Sequence, residues 1–316
     1  MSKSADKIAF EDLAKALEAV VLAAGPGASS NVARRIRAGL SDHAAAIEAA
    51  RAATDPIKMP RVTFDPGDPK VVGGMVALAL IAQPRVALAS IRPAYGSGVY
   101  AIYYKAEHPL YAAISRTETP IYVGKADPAN DGASNPREQG AKLTGRLLEH
   151  AGTIETAENF AASGLPEGLH PIRMADFTCR RLVCATNAQL VAEKHLIQMF
   201  WPLWNSETKA CWGMSKHGDA AKTRANKRSP WDVIHPGRAW ALDPVLVDSL
   251  TPSQIEQRIR QTLERAPPRT DHAYLLEEML AGFRQGDGQG QMPENKPPVG
   301  EQAPGPSGDE AGGADE

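Results

Sequence analysis

Three cysteines in 316 residues, Cys179, Cys184 and Cys211, are odd in number and none are spaced as CxxC. That excludes a disulfide framework and a cysteine-built zinc site, and the three are expected to be small buried side chains. Long apolar runs are also missing. The longest, around Met75 to Ala82, falls far short of the ~18 residues of a membrane span, and the first ten residues, MSKSADKIAF, hold no signal core. A cytoplasmic protein is expected. Net charge is nearly absent too, at −2, but the average conceals a division. Residues 209 to 238 carry seven Lys or Arg against two Asp, whereas residues 285 to 316 carry seven acids against one Lys. A polyanionic partner for the basic block is therefore plausible.

What remains reads as a globular chain with helical ends. Phe10, Leu13, Leu17 and Val20 recur at helical spacing and 31 to 53 reads as helix, which makes residues 1–55 a helical N-terminal arm. Pro56, Pro60, Pro66 and Pro69 punctuate a connecting segment, 56–97, expected to pack on the core. From 98 to about 205 strand and helix patterns alternate: strands at 98–104, 120–124 and 174–184, helices near 139–152 and 187–200. Thr186 with Gln189 forms a capping-box pattern that would start the last of these near Asn187. The pattern predicts an α+β fold, a small sheet flanked by helices. Residues 241–284 read as C-terminal helices, with Ile255, Ile259 and Leu263 spaced by four. The acidic, Gly- and Pro-rich stretch 285–316 is expected to stay disordered.

Aromatics are scarce, yet four of the seven tyrosines fall on two short strand patterns, Gly98-Val99-Tyr100-Ala101-Ile102-Tyr103-Tyr104 and Ile121-Tyr122-Val123-Gly124-Lys125-Ala126. Strand alternation puts Gly98, Tyr100 and Ile102 on one face, and Tyr122 and Gly124 together on the next strand. A glycine beside each tyrosine leaves the sheet bare enough for a ligand or another backbone to approach. Downstream, Arg146 and His150 stand four apart on the helical face that holds Leu143 and Leu147. Glu193 falls within the stripe Leu190, Ile197, Phe200 or Trp201, where a carboxylate needs a metal ion or an arginine. Pro202 should end that helix and leave Asn205 on the loop beyond.

Gly98-Val99-Tyr100 and Tyr122-Val123-Gly124, followed in order by Arg146, His150, Glu193 and Asn205, resemble the signature of the GIY-YIG nuclease superfamily in its type II restriction endonuclease branch. The resemblance implies a three-stranded antiparallel sheet flanked by helices, with the nuclease core at 98–240. It implies metal-dependent hydrolysis of phosphodiesters in double-stranded DNA, with one Mg²⁺ per site held by Glu193. Arg146 would clamp the phosphate. Tyr100 would act as general base or orient the water, helped by Arg146, Lys125 or the metal, and His150 would take up the proton. Tyr122 would hold the phosphate or share that role, and Asn205 would fix the neighbouring backbone. The run Lys227-Arg228-Ser229-Pro230-Trp231-Asp232 with His235-Pro236-Gly237-Arg238 is similar to the branch's DNA-contacting segment. Lys222, Arg224, Lys227, Arg228 and Arg238 are thus the expected DNA contacts, with Gly213-Met214-Ser215 in place of the branch's glycine-aromatic-glycine turn. A bacterial homodimer with a cognate DNA methyltransferase as genetic partner completes the expectation. The rival readings are a repair or homing-type nuclease and a catalytically silent DNA-binding protein.

Overall fold

The structure, a computed structural model, describes residues 4–25, 29–57, 63–185, 187–215 and 227–283. The chain folds as two units, Met1–Thr63 and Phe64–Glu316. The first holds α1 (Ala5–Ala23) and α2 (Ser30–Thr54), neither of which has a buried residue. No helix among the described residues is long and apolar enough to cross a membrane.

The second unit is built on an antiparallel sheet. Its strands are β1 (Val86–Ala87), β2 (Gly98–Tyr104), β3 (Tyr122–Ala126) and β4 (Phe177–Val183), in the order β1-β4-β2-β3. The three expected strands form its body, and the two-residue β1 adds an edge that no sequence pattern announces. β2 is central, and all seven of its residues are buried, as an aromatic and β-branched run suits. Opposite Tyr100 stand Gly124 on one side and Arg181 on the other.

Alternation along β2 feeds two cores. Val99, Ala101, Tyr103 and Val123 join Ala77, Leu80 and Ile81 of α3 (Pro69–Ile81). On the other face, Tyr100, Ile102 and Tyr104 join Leu143, Leu147, Ala151 and Ile154 of α5 (Lys142–Ala162), which follows the short α4 (Pro136–Gln139). The α3 core is completed by Ala192, Leu196 and Met199 of α6 (Gln189–Phe200). Burying Leu143 and Leu147, at 1% and 0% exposure, contributes roughly 2 kcal/mol each. α3 and α6 approach closely because Gly73 has no side chain: a Cβ there would lie 2.9 Å from the Val191 carbonyl oxygen. The helices Pro252–Arg265 and His272–Ala281 follow, with Ile255, Ile259, Leu275 and Met279 buried.

Several expectations need correction. The connecting segment 56–97, to which the sequence pattern assigns no element, holds α3, started by Asp68, whose carboxylate accepts from the Lys70 N–H at 2.7 Å. The helix expected at 139–152 runs from Lys142 to Ala162. β3 starts at Tyr122, after Pro120, which has no N–H to give a ladder. Residues Met174–Asp176 form a 3₁₀ turn before β4. α6 begins at Gln189 with Ala188 as its N-cap and no side-chain cap, while Thr186 lies outside the described residues. Leu190 is 50% exposed, so it leaves the apolar stripe to Ala192, Leu196, Met199 and Phe200. α6 stops as expected: Trp201 turns left-handed at φ 47° just before Pro202.

Candidate active site

The glycine beside each tyrosine has a steric cause that the register makes plain. Tyr100 lies across from Gly124, and its ring occupies the space a side chain there would fill. A Cβ on Gly124 would sit 2.4 Å from the Tyr100 Oη and 3.0 Å from a Tyr122 ring carbon. Gly98 does the same for the other neighbour, since a Cβ would lie 2.0 Å from the Leu182 carbonyl oxygen. The bare patch expected to admit a ligand admits Tyr100 itself.

Three rings gather there. Tyr100 and Tyr122 have centroids 6.1 Å apart, and His150 of α5 lies 5.6 Å from the first and 4.9 Å from the second. The Tyr100 hydroxyl and His150 Nε2 share a hydrogen bond of 2.7 Å, buried from solvent. Burial, with the neighbouring Arg146 second, presses the His150 pKa down to about 3, so the imidazole is neutral. Burial raises the Tyr100 phenol well above its ordinary value, Tyr122 adds to this, Arg146 opposes it and Glu193 adds again. The resting proton therefore stays on Tyr100. Tyr122 is raised by burial as well, and its hydroxyl bonds Ser215 Oγ at 2.8 Å.

Arg146 and Glu193 reach these phenols from opposite sides of the sheet. Arg146 stands on α5 with its side chain about one-third exposed and ion-paired to Glu149, one turn on. Glu193 stands on α6, behind β3, and acts on both phenols past that edge strand. Burial lifts its carboxyl to about 7; Lys125 lowers it through its charge and its backbone N–H, while Glu207 and Asp127 raise it. The Lys125 ammonium is ion-paired with Asp127. Asn205 is buried and clamps β3 from the loop after α6. Its Oδ1 accepts from the Val123 N–H and its Nδ2 donates to the Val123 carbonyl, both at 2.9 Å. Tyr100, Tyr122, Arg146, His150, Glu193, Lys125 and Asn205 thus come together around one end of β2 and β3.

A divalent cation suits this donor set. Among the described residues no group of three His, Cys, Asp or Glu is arranged to hold a metal. A carboxylate whose burial Lys125 only partly offsets is one that Mg²⁺ can use, because that ion keeps several waters and borrows further oxygens from a phosphate. Glu193 would hold it. A cavity of about 370 Å³ bordered by His108, His170, Glu256 and Arg260 contains none of these residues.

The basic block divides. Lys222 and Arg224 lie outside the described residues. Lys227 is exposed on the two-residue strand Lys227–Arg228, whereas Arg228 pairs with Asp248 at 2.6 Å. Arg238, expected at DNA, is spent internally. Its Nε and Nη2 grip the fully buried Asp232 at 2.7 and 2.6 Å, and its guanidinium also donates to the carbonyls of Gly213 and Met214. It anchors the Gly213-Met214-Ser215 turn, which forms because Gly213 leaves room for Ser229 Oγ, 2.1 Å from where a Cβ would stand. Arg238→Ala should therefore lower stability by about 3–5 kcal/mol, as removing one member of a buried pair does, and a thermal melt would register it without DNA.

Sequence reasoning missed Ser215, Asp127 and Gln189. Ser215 had only its place in the turn to recommend it, and the other two become visible once β3 and α6 are adjacent.

A central tyrosine packed over a glycine is hydrogen-bonded to a buried histidine, and its phenol feels the charges of an arginine and a glutamate. The Eco29kI GIY-YIG domain family matches residues 92–263, more than half of the chain, and the chain belongs to that family. No curated protein matches it. Membership carries a nuclease-type role on DNA.

Proposed function

We propose that the protein is a sequence-specific endonuclease of double-stranded DNA, a type II restriction enzyme, using one Mg²⁺ per active site. The observation that carries the reading is the 2.7 Å bond from the Tyr100 hydroxyl to a neutral, buried His150, on a phenol that also feels Arg146 and Glu193. With His150 protonated at Nδ1, Nε2 accepts the phenol proton. Tyr100 can then take a proton from the attacking water as it gives its own to His150, and the imidazolium this forms, which burial disfavours, is stabilised by the negative charge of the bound phosphate. Arg146 neutralises the non-bridging phosphate oxygens, for which it must exchange Glu149 for the substrate. Tyr122 holds the phosphate or shares the role of Tyr100. The divalent ion, when bound, stabilises charge on the departing 3′ oxygen. Asn205 keeps β3 in place, and Lys125 adds positive charge beside the phosphate.

Cutting both strands calls for two such sites, so a homodimer is part of the proposal, with the α1–α2 arm or the C-terminal helices as its surface, and a cognate DNA methyltransferase as genetic partner. Lys227, with Lys222 and Arg224, would neutralise phosphates along the duplex. Plasmid cleavage in Mg²⁺ and in EDTA tests the reading. Discrete, Mg²⁺-dependent fragments support it; cutting confined to branched DNA favours a repair enzyme, and no metal-dependent cutting a silent binder.

The pH dependence of the metal requirement is a second check. Only ionised Glu193 binds the cation, and its carboxyl titrates near 7. The Mg²⁺ concentration for half-maximal cleavage should rise close to tenfold per pH unit below about 7 and level off above it. Rates measured over a Mg²⁺ series at each pH give the slope.

A further inference from the structure

Beside Glu193 and Lys125 stand two side chains, Asp127 and Gln189, that the proposed chemistry does not use. Lys125 and Asp127 are two apart at the end of β3, on the α6 side of the sheet, since Val123 of the same alternation packs in the α3–α6 core. The Lys125 ammonium stands close enough to the Glu193 carboxylate to oppose the effect of its burial, yet its ion pair is with Asp127. Asp127 is held from its other side as well: its Oδ1 receives the Gln189 side-chain amide at 3.4 Å. Gln189 is 1% exposed and stands one helical turn before Glu193, with its own Oε1 buried and without a hydrogen-bond partner. Lys125 therefore sits between two carboxylates and is tethered to the one that is not proposed to bind metal.

A lysine free to choose would be drawn to Glu193, the more buried acid, where charges interact through less water. That pairing would close the carboxylate offered to the cation. We propose that Asp127 is a positioning residue that holds the Lys125 ammonium off Glu193 and so keeps the carboxylate open to a divalent ion. Gln189 supports it by fixing the second Asp127 oxygen. The inference rests on Glu193 as the metal ligand, and it assigns a purpose to Asp127 and Gln189, two side chains that the proposed reaction leaves without one.

Mg²⁺ titration of the full chain, with glutamate carboxyls labelled with ¹³C, reads binding without turnover. The Glu193 signal is assigned by its disappearance in Glu193→Gln. Asp127→Asn should weaken Mg²⁺ binding at least tenfold, because the released lysine pairs with Glu193. Lys125→Met/Asp127→Asn, which removes the competitor too, should restore binding to within about threefold of the parent. Unchanged affinity in Asp127→Asn overturns the proposal, and so does a double variant as weak as the single one, since Asp127 would then act through its own charge. A parent Glu193 signal indifferent to Mg²⁺ takes down the metal assignment and the proposal together. Thermal melts of both variants exclude misfolding as the cause of lost affinity.

Discussion

Glu193→Gln should abolish metal-dependent cleavage, by at least about 10³-fold, while making the folded protein more stable at alkaline pH. The first half follows from removing the carboxylate offered to the cation, with a loss of some 4 kcal/mol of transition-state stabilisation implied by that factor. The second half follows from burial. The carboxyl titrates near 7 in the folded chain against an ordinary 4.5, so the folded state holds this proton more tightly than the unfolded state. Stability from this group is complete below pH 4.5 and is lost as pH rises through 7. After discounting for partial exposure, about 2 kcal/mol separates the extremes. Melts of the metal-free protein at pH 5 and pH 8 should therefore show the glutamine variant level with its parent at the lower pH and several degrees above it at the higher. A variant that is inactive and also less stable at pH 8 would place Glu193 in a structural role instead.

Gly124→Ala should cost at least about 100-fold in cleavage with the sheet still formed. The added methyl falls 2.4 Å from the Tyr100 hydroxyl oxygen and 2.5 Å from the carbon bearing it. Tyr100 is fully buried in the α5 core and cannot swing into solvent, so the hydroxyl has to shift against His150. A displacement near 1 Å at a reacting group is worth about that factor, and the overpacking adds roughly 1–3 kcal/mol of destabilisation. Single-turnover cleavage with circular dichroism of the same sample separates the two effects. A variant as fast as its parent would mean that the position of the Tyr100 hydroxyl does not govern the chemistry.

Strand periods and helix faces made much of this arrangement legible in the chain itself. β2 declared itself by a run of β-branched and aromatic residues, and the Arg146/His150 face by spacing alone, because those are local properties of the backbone. Glu193 was singled out from a stripe that included Leu190. That residue is exposed, and the burial of the carboxylate comes instead from α6 lying behind β3. Arg238 could not be sorted from its neighbours by composition, since a guanidinium aimed at phosphate and one gripping Asp232 look alike in a basic run. Nor could sequence reveal that Gly124 yields its place to Tyr100, a fact of register between strands more than twenty residues apart.

The sheet partitions the chemistry. Phenols, imidazole and guanidinium rest on the α5 core, and the acid rests on the α3–α6 core, so the gap between acid and phenols depends on how firmly each half grips a common wall. Slackening either half would spoil the spacing before the wall itself comes apart. Heat should accordingly silence such an enzyme some degrees before it melts, and a cation held by the acid and joined to a bound phosphate would tie the two halves together like a rivet.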